Sequence, residues 1–235
     1  MDCRALLLDF DGTIADTLPH LCASFRHALE PFVVRLPTDA EVVATFGPPE
    51  RVNLRMLLEN PSIGRPNSIQ HLDAAEQRYH EYYEGRHETV QQYPGIVETI
   101  ALARRQGWRI GVFTGKSRRS ASFALRAVGL AEVVDCLVGG DDVSRPKPDA
   151  EGLLKIAREF RLEPGQVLFV GDSPGDIKAG RAAGALTAAA MWGAVDATAT
   201  LAAGPTWAFK SGQELLEHVR ILGANGQPWN TSRTA

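Results

Sequence analysis

The sequence is poor in cysteine and contains no long apolar segment. Only three of its 235 residues are cysteines, Cys3, Cys22 and Cys136, and no two of them form a CxxC pair. This odd count without metal-ligand spacing disfavours a disulfide framework and a cysteine metal site, and favours reduced packing residues in a cytoplasmic protein. The uncharged run over 182–195 is shorter than the roughly 20 apolar residues that a membrane-spanning helix needs. We therefore expect no membrane partner and no targeting segment.

A strong excess of charge of one sign is also missing. The chain has 25 Lys and Arg against 28 Asp and Glu, which gives a formal net charge of -3. Without a global basic field, we expect no nucleic-acid partner. The six histidines show no HExxH spacing, which disfavours a histidine metal site. The length and the 44% hydrophobic content suit one large α/β domain, or a core domain with a smaller insert.

What the chain does contain is a repeated type of short apolar run, typical of a strand that is buried on both faces. Five such runs lie at 3–10, 108–113, 133–138, 166–170 and 185–191. Apolar residues with helical spacing predict helices at 121–128, 153–160 and 215–222. This alternation predicts an α/β fold with a doubly wound, Rossmann-like parallel sheet.

Residues 16–92 interrupt the alternation, because they give helical stripes without a strand of comparable strength. The apolar residues of these stripes are Phe25, Leu29 and Phe32, then Val52, Met56 and Leu57, and then those within 69–83. We predict an α/β catalytic core of residues 1–15 and 93–222, with an inserted α-helical cap domain over 16–92. The polar, Gly-rich residues 223–235 are expected to form a loosely held tail.

Two acids follow the first predicted strand, in the string Asp9-Phe10-Asp11-Gly12-Thr13. Side chains two apart at a strand end point the same way, and open α/β sheets bind ligands beyond the carboxyl ends of their strands. Two carboxylates so close together require a cation or a shared proton, and Mg²⁺ prefers such ligands together with substrate phosphate. An ordinary Asp-Gly turn is the alternative, but the whole string after a buried strand favours a functional site.

Three further stretches follow predicted strands. Thr114-Gly115-Lys116 offers a hydroxyl and backbone N–H groups for phosphate oxygens, although Thr-Gly is also a plain turn. Lys147 lies between two prolines, which favours an extended loop over a helix. Asp172 and Asp176 flank a predicted helix start, where one could be a cap, but two acids beside a buried strand end suit a metal better. Acids, a hydroxyl and a lysine together are what phosphoryl transfer requires.

In this order and separation, the four stretches resemble the motifs of the haloacid dehalogenase superfamily. Within it the chain resembles phosphoglycolate phosphatases and the related pyrophosphatases and sugar-phosphate phosphatases that carry a helical cap, over about residues 3–222. The resemblance implies that Asp9 attacks phosphorus, and that Asp11 protonates the leaving group and then activates water. It also implies that Thr114 and Lys147 bind the phosphoryl group of a small phosphorylated metabolite.

The resemblance further implies a Mg²⁺ cofactor at the acids of the first and last motifs. Its ligands would be the side chains of Asp9 and Asp172 and the backbone carbonyl of Asp11, while Asp176 would orient Lys147 or a metal-bound water. The candidate substrate contacts are Gly12, Thr13, Gly115, Lys116 and, on a predicted cap helix, Arg51. Because Mn²⁺ also favours oxygen ligands, the cation used in the cell stays open, and so does the choice between monomer and homodimer.

The presence or absence of particular family residues narrows the range of activities that we expect. Asp11 is present, whereas dehalogenases of the superfamily lack that acid. The mutases of the superfamily usually carry a histidine at the position of Leu21, whereas His20 stands one residue early here. One residue on a helix corresponds to about 100° of rotation, so this sequence disfavours the mutase hypothesis without excluding it. Gly115 stands where phosphoglycolate phosphatases often have Asn. A pyrophosphatase remains an alternative, and a binding protein without turnover is disfavoured because the motif acids are all present.

Overall fold

The computed structural model describes residues 2–87 and 90–224 of the chain. Its strands are β1 (Ala5–Leu8), β2 (Ala15–Asp16), β3 (Gln91–Gln92), β4 (Arg109–Phe113), β5 (Cys136–Val138), β6 (Val167–Gly171), β7 (Leu186–Ala190) and β8 (Trp207–Phe209). Its α-helices are α1 (Leu18–Leu29), α2 (Asp39–Val43), α3 (Glu50–Glu59), α4 (Leu72–Gly85), α5 (Ile96–Arg105), α6 (Arg118–Ala127), α7 (Glu151–Phe160), α8 (Pro174–Ala183), α9 (Ala197–Ala202) and α10 (Gly212–Ala224).

Six strands form one parallel sheet in the order β5-β4-β1-β6-β7-β8. The four residues of β1 lie near its centre and are all buried, as a continuous apolar run predicts. Leu6 and Leu8 pack into the hydrophobic core on one face, and Ala5 and Leu7 into the core on the other. The predicted α/β fold with a doubly wound parallel sheet is therefore confirmed.

Helices α1 to α4 form an inserted helical segment with a hydrophobic core of its own. Phe25, Leu54, Tyr79 and Tyr83 are at most 1% exposed within this core. The chain enters and leaves the segment through a two-stranded antiparallel ribbon, in which β2 pairs with β3. This ribbon holds the two connections between the segment and the sheet side by side. The segment therefore lies against the carboxyl end of β1.

Helix α3 buries only one residue, Leu57, of the apolar stripe that its sequence indicated. Val52 and Met56 are 42% and 45% exposed, while Leu54, Leu57 and Leu58 are buried. Both sets have helical spacing, and periodicity alone cannot choose between two apolar stripes on one short helix. The choice depends on how α3 packs on α4.

The remaining differences concern the end of the chain. Strand β8 was not predicted, and it pairs in parallel with β7 at the edge of the sheet. The predicted tail begins inside α10, and residues 225–235 lie outside the described residues. Among the helices that the structure describes, none is long and apolar enough to cross a membrane.

Candidate active site

The parallel sheet brings the predicted motifs together at the carboxyl ends of its central strands. Asp9 directly follows β1, and its backbone N–H donates to Val170 of the neighbouring strand at 2.9 Å. Thr114 follows β4 in the same way and donates its N–H to Val138 of β5 at 3.1 Å. Asp172 follows β6. The ladder hydrogen bonds thus continue one residue beyond the strands and hold the first polar side chains in fixed positions.

Three carboxylates form an acidic cluster. Asp9, Asp172 and Asp176 each offer an oxygen atom, and these three atoms lie within 4.8 Å of one another. Burial, together with the neighbouring carboxylates, raises the pKa of Asp9 to about 7 and that of Asp172 well above its usual value, although Lys147 opposes both shifts. Clustered, buried carboxylate oxygens fit a hard divalent cation, which would relieve this repulsion.

Lys147 supplies the compensating positive charge. Its side chain is 8% exposed, and its Nζ lies 3.1 Å from Asp9 Oδ1 and 2.6 Å from Asp176 Oδ1. Burial alone would lower the pKa of Lys147, but the two carboxylates outweigh it and hold the pKa above its usual value. The lysine therefore stays charged beside Asp9. Asp176 is itself fixed at the start of α8, where Ser173 donates to it through both N–H and hydroxyl.

Asp11 faces a different set of partners from Asp9. Thr17 donates its hydroxyl to Asp11 Oδ1 at 2.5 Å, and Lys116 Nζ lies 2.9 Å from the same oxygen. The ammonium of Lys116 also lies 4.8 Å above the Tyr83 ring. The side chain of Asp11 is thus oriented away from the acidic cluster, and only its backbone carbonyl remains for the metal-ligand role that the resemblance implies.

Gly12 and Thr13 shape the turn after β1. Gly12 has φ +69°, and a Cβ atom there would overlap the Asp172 carboxylate. Thr13 is fully buried and donates its hydroxyl to Asp172 Oδ1 at 3.4 Å. Both residues therefore position the acidic cluster. They do not line the cavity described below.

A cavity of about 460 Å³ opens between the sheet and the helical segment. The lining residues that follow the strands are Asp9, Asp11, Thr114, Gly115, Lys116, Lys147, Pro148, Asp172 and Ser173, joined by Pro174, Gly175 and Lys178 of α8. The helical segment contributes Leu21, Phe25, Phe46, Gly47, Pro48, Glu50, Asn53 and Tyr79. Most of the predicted site residues thus meet at one cavity.

Arg51 is a predicted substrate contact that the structure places away from the cavity. It lies on the exposed face of α3 and forms ion pairs with Asp73, at 2.7 Å, and with Glu76. Its neighbours Glu50 and Asn53 are the residues of this helix that line the cavity. Sequence analysis missed both, because two of the three apolar residues it used, Val52 and Met56, lie on the exposed face of the helix.

Glu50 joins the helical segment to the core. Ser117 donates its N–H to Glu50 Oε2 at 3.0 Å, and Ser120 donates its hydroxyl to Oε1 at 2.6 Å. The Ser117 hydroxyl donates to the same carboxylate. Burial alone would raise the pKa of Glu50, but these hydrogen bonds outweigh it and lower the pKa. Glu50 is therefore an ionised group at the cavity wall.

Paired acids and a buried lysine at the strand ends of a parallel α/β sheet match the arrangement that the sequence motifs predicted. The family model of haloacid dehalogenase-like hydrolases matches residues 6–190, and the chain belongs to that family. Within it the chain is a phosphatase, as the activities of its relatives indicate.

Two relatives and two solved structures illustrate the similarity. The chain is 33% identical to phosphoglycolate phosphatase 1 of Pseudomonas aeruginosa over 81% of this chain and 70% of that protein. It is 30% identical to the pyrophosphatase PpaX of Bacillus velezensis over 80% and 83% of the two chains. A predicted phosphoglycolate phosphatase from Haemophilus somnus superposes with a TM-score of 0.83 at 23% identity, covering 93% and 98% of the chains. CbbY from Rhodobacter sphaeroides, in complex with phosphate, superposes with a TM-score of 0.79 at 21% identity, covering 91% of this chain and 96% of that chain. These two structures share the fold.

Proposed function

We propose that this phosphatase is Mg²⁺-dependent and hydrolyses a small phosphorylated metabolite, phosphoglycolate-like or a sugar phosphate, through an aspartyl-phosphate. The observation that carries the proposal is the buried Asp9 carboxylate 3.1 Å from the ammonium of Lys147, at the floor of the cavity. An ionised carboxylate is a nucleophile, and a fixed cation beside it stabilises the charge that develops on a phosphoryl group.

In the first step, an oxygen of Asp9 attacks phosphorus, and the bond from phosphorus to the leaving oxygen breaks. Asp11 donates its proton to that oxygen. In the second step, Asp11 takes a proton from water as the water attacks phosphorus, and the carboxylate of Asp9 is restored together with inorganic phosphate. Thr17 and Lys116 hold the Asp11 side chain in place for both transfers.

Thr114 and Lys147 are assigned to the phosphoryl oxygens. Thr114 is 1% exposed at the end of β4, and Lys147 reaches the same point from the loop after β5. A hydroxyl and an ammonium in fixed positions can hold a phosphoryl group without reorganisation during the reaction. Gly115 follows Thr114 at the cavity wall.

The acidic cluster is the site that we assign to Mg²⁺. Asp9 and Asp172 would hold the cation with their side chains and Asp11 with its backbone carbonyl, while Asp176 remains with Lys147. A bound Mg²⁺ supplies positive charge that offsets the carboxylates and the phosphoryl oxygens.

We assign residues 16–92 to a cap, on a catalytic core of 1–15 and 93–222, because the cavity lies between them. Such a cap excludes water from the leaving group and determines which compound fits. We further place the enzyme in the cytoplasm, with its described cysteines as free thiols, and as a monomer or homodimer.

Phosphate release from a panel of compounds, with Mg²⁺ and with chelator, tests the proposal. The panel contains 2-phosphoglycolate, pyrophosphate, sugar phosphates, nucleotides, β-glucose 1-phosphate and p-nitrophenyl phosphate. We expect release from a few members, loss of release in chelator, and no turnover by Asp9→Asn, which keeps the shape and removes the nucleophile. Turnover by Asp9→Asn at the wild-type rate would overturn the mechanism, and preference for pyrophosphate would favour the pyrophosphatase alternative.

A further inference from the structure

The helical side of the cavity differs in chemistry from the side that holds the motifs. Phe25, Phe46 and Tyr79 form an aromatic wall, in which the Phe25 ring lies 4.9 Å from Tyr79 and 6.3 Å from Phe46. All three rings line the same cavity as Asp9 and Lys147. The rings are tilted against one another, by 49° for Phe25 and Tyr79 and by 39° for Phe25 and Phe46. An aromatic lining of this kind packs against the apolar face of a ring or chain.

One polar side chain beside the aromatic wall has no partner for its oxygen. Asn53 is 5% exposed and lines the cavity, and its buried Oδ1 accepts no hydrogen bond among the described residues. A buried acceptor without a donor is costly, which makes it unusual in a folded protein. The carboxamide carries a donor and an acceptor, so it can bind a hydroxyl in either orientation of its plane.

The charges on this side of the cavity disfavour a second anionic group. Among the described lining residues, the helical segment contributes the carboxylate of Glu50 and no lysine or arginine. Lys116 is already compensated by Asp11 at 2.9 Å, and Lys147 by Asp9 and Asp176. Lys178 also lines the cavity, but it is an exposed residue of α8 on the core side, so the helical side itself offers no cation to a second anionic group.

The size of the cavity points in the same direction. About 460 Å³ is within the range of pockets that hold a whole metabolite, and a two-carbon acid or a second phosphate would leave much of it unfilled.

We propose that the cavity selects an uncharged leaving group that packs on the aromatic wall and donates a hydroxyl or N–H to Asn53, as the phosphate ester of a sugar or polyol does. This inference rests on the function proposed above and narrows its substrate class. Asn53 is then the residue that determines specificity, and the phosphoryl-binding residues act on any phosphate ester.

The test compares three kinds of substrate in wild-type protein and in Asn53→Leu, which removes the amide at nearly constant volume. The substrates are hexose and polyol phosphates, 2-phosphoglycolate, and p-nitrophenyl phosphate, which has no hydroxyl to offer. Wild-type protein should favour at least one hydroxylated ester over 2-phosphoglycolate about 10-fold or more in kcat/KM. Asn53→Leu should lower kcat/KM for that ester about 10-fold or more, because a site built for a hydroxyl discriminates strongly. Its kcat/KM for p-nitrophenyl phosphate should stay within about twofold.

Met56→Leu is the matched control, since Met56 lies on the same helix but is 45% exposed. Met56→Leu should leave kcat/KM for all three kinds of substrate unchanged. The melting temperature separates a binding role from a structural one, because removing a buried amide oxygen that has no hydrogen-bond partner should keep or raise the melting temperature. A wild-type preference for 2-phosphoglycolate or pyrophosphate would overturn the inference while the proposed function stands, and so would an equal loss on all substrates in Asn53→Leu. Failure of wild-type protein to hydrolyse any compound, p-nitrophenyl phosphate included, would overturn the proposed function and this inference with it.

Discussion

The ammonium nitrogen of Lys147 lies 2.6 Å from Asp176 Oδ1, and the Asp176 side chain is fully buried. Lys147 comes from the loop after β5, and Asp176 from the first turn of α8. The pair therefore ties two segments of the core together at the strand ends, next to Asp9. Because the same ammonium serves both carboxylates, stability and chemistry depend on one side chain here.

Lys147→Met tests this double role, since methionine keeps the unbranched shape and removes the charge. Breaking a buried ion pair from one side costs about 3–5 kcal/mol, because the remaining carboxylate stays buried without its partner. Loss of one group that stabilises developing charge lowers kcat/KM by about 10²-fold or more. Denaturant unfolding and phosphate release measure the two effects. Lys178→Met, on the exposed face of α8, is the control and should change the free energy of unfolding by less than about 0.5 kcal/mol. A Lys147→Met protein as stable as wild type would contradict the ion-pair argument.

Asp9→Asn should alter the pH dependence of stability in metal-free protein. Burial raises the pKa of Asp9 to about 7 from a model-compound value of 3.8. A raised pKa stabilises the fold below the unfolded value and loses that contribution as pH rises through the folded value. The melting temperature of Asp9→Asn relative to wild type should therefore increase from about pH 4 to about pH 7, in chelator. A difference that stays constant over this interval would show that Asp9 does not titrate there.

Asp11→Asn should separate the two chemical steps. With a leaving group that needs no proton, such as p-nitrophenolate, formation of the aspartyl-phosphate does not depend on Asp11. Its breakdown still lacks a carboxylate to activate water, so the phosphoenzyme should accumulate. Acid quenching after mixing with a radiolabelled phosphate ester would detect it. The variant should also be less stable, because Lys116 loses the anion 2.9 Å away. Full turnover by Asp11→Asn would contradict the acid/base assignment.

The core could be predicted because its signals are local and redundant. A nearly continuous apolar run such as 3–10 is typical of a strand buried on both faces, and acids at its end must lie at the carboxyl ends of the strands. Five predicted runs correspond to β1, β4, β5, β6 and β7. Strand β8 was missed because its apolar run is only the three residues Trp207–Phe209 between Thr206 and Lys210, whereas the three residues of β5 lie within the longer run 133–138. Strand β8 forms by pairing with β7, whose outer side would otherwise be the unpaired edge of the sheet.

The helical wall of the cavity could not be predicted, because it depends on tertiary packing. Glu50 meets Ser117 and Ser120, about seventy residues away in sequence, and no spacing rule links them. The rotation of α3 about its axis decides whether Arg51 or Asn53 faces the cavity. That rotation follows from its contacts with α4, which the sequence pattern of α3 alone does not contain.

Arg51→Gln should therefore leave catalysis intact, contrary to the expectation from sequence. Its ion pairs with Asp73 and Glu76 lie on the exposed face of α3 and away from the cavity. Exposed pairs contribute about 0–1 kcal/mol each, so the free energy of unfolding should fall only slightly. Steady-state kinetics on the best substrate of the panel would measure the effect. A fall in kcat/KM beyond about threefold would show that Arg51 reaches the substrate when the enzyme is working.

Gly115→Ala should disrupt the packing of the helical segment against the core. A Cβ atom on Gly115 would lie 2.5 Å from the carbonyl oxygen of Gly47, so the backbone of one of the two segments must move. Overpacking of this kind costs about 1–3 kcal/mol, and the displaced loop would also change the cavity wall and lower kcat/KM. Gly175→Ala is the matched control, because Gly175 also lines the cavity, and the nearest atom to its added Cβ would be 3.5 Å away. Placing alanine in α8 should leave stability unchanged or raise it by up to about 1 kcal/mol. If the two variants have the same free energy of unfolding and the same kcat/KM for phosphate release, the close approach of Gly47 to Gly115 does not constrain the cavity.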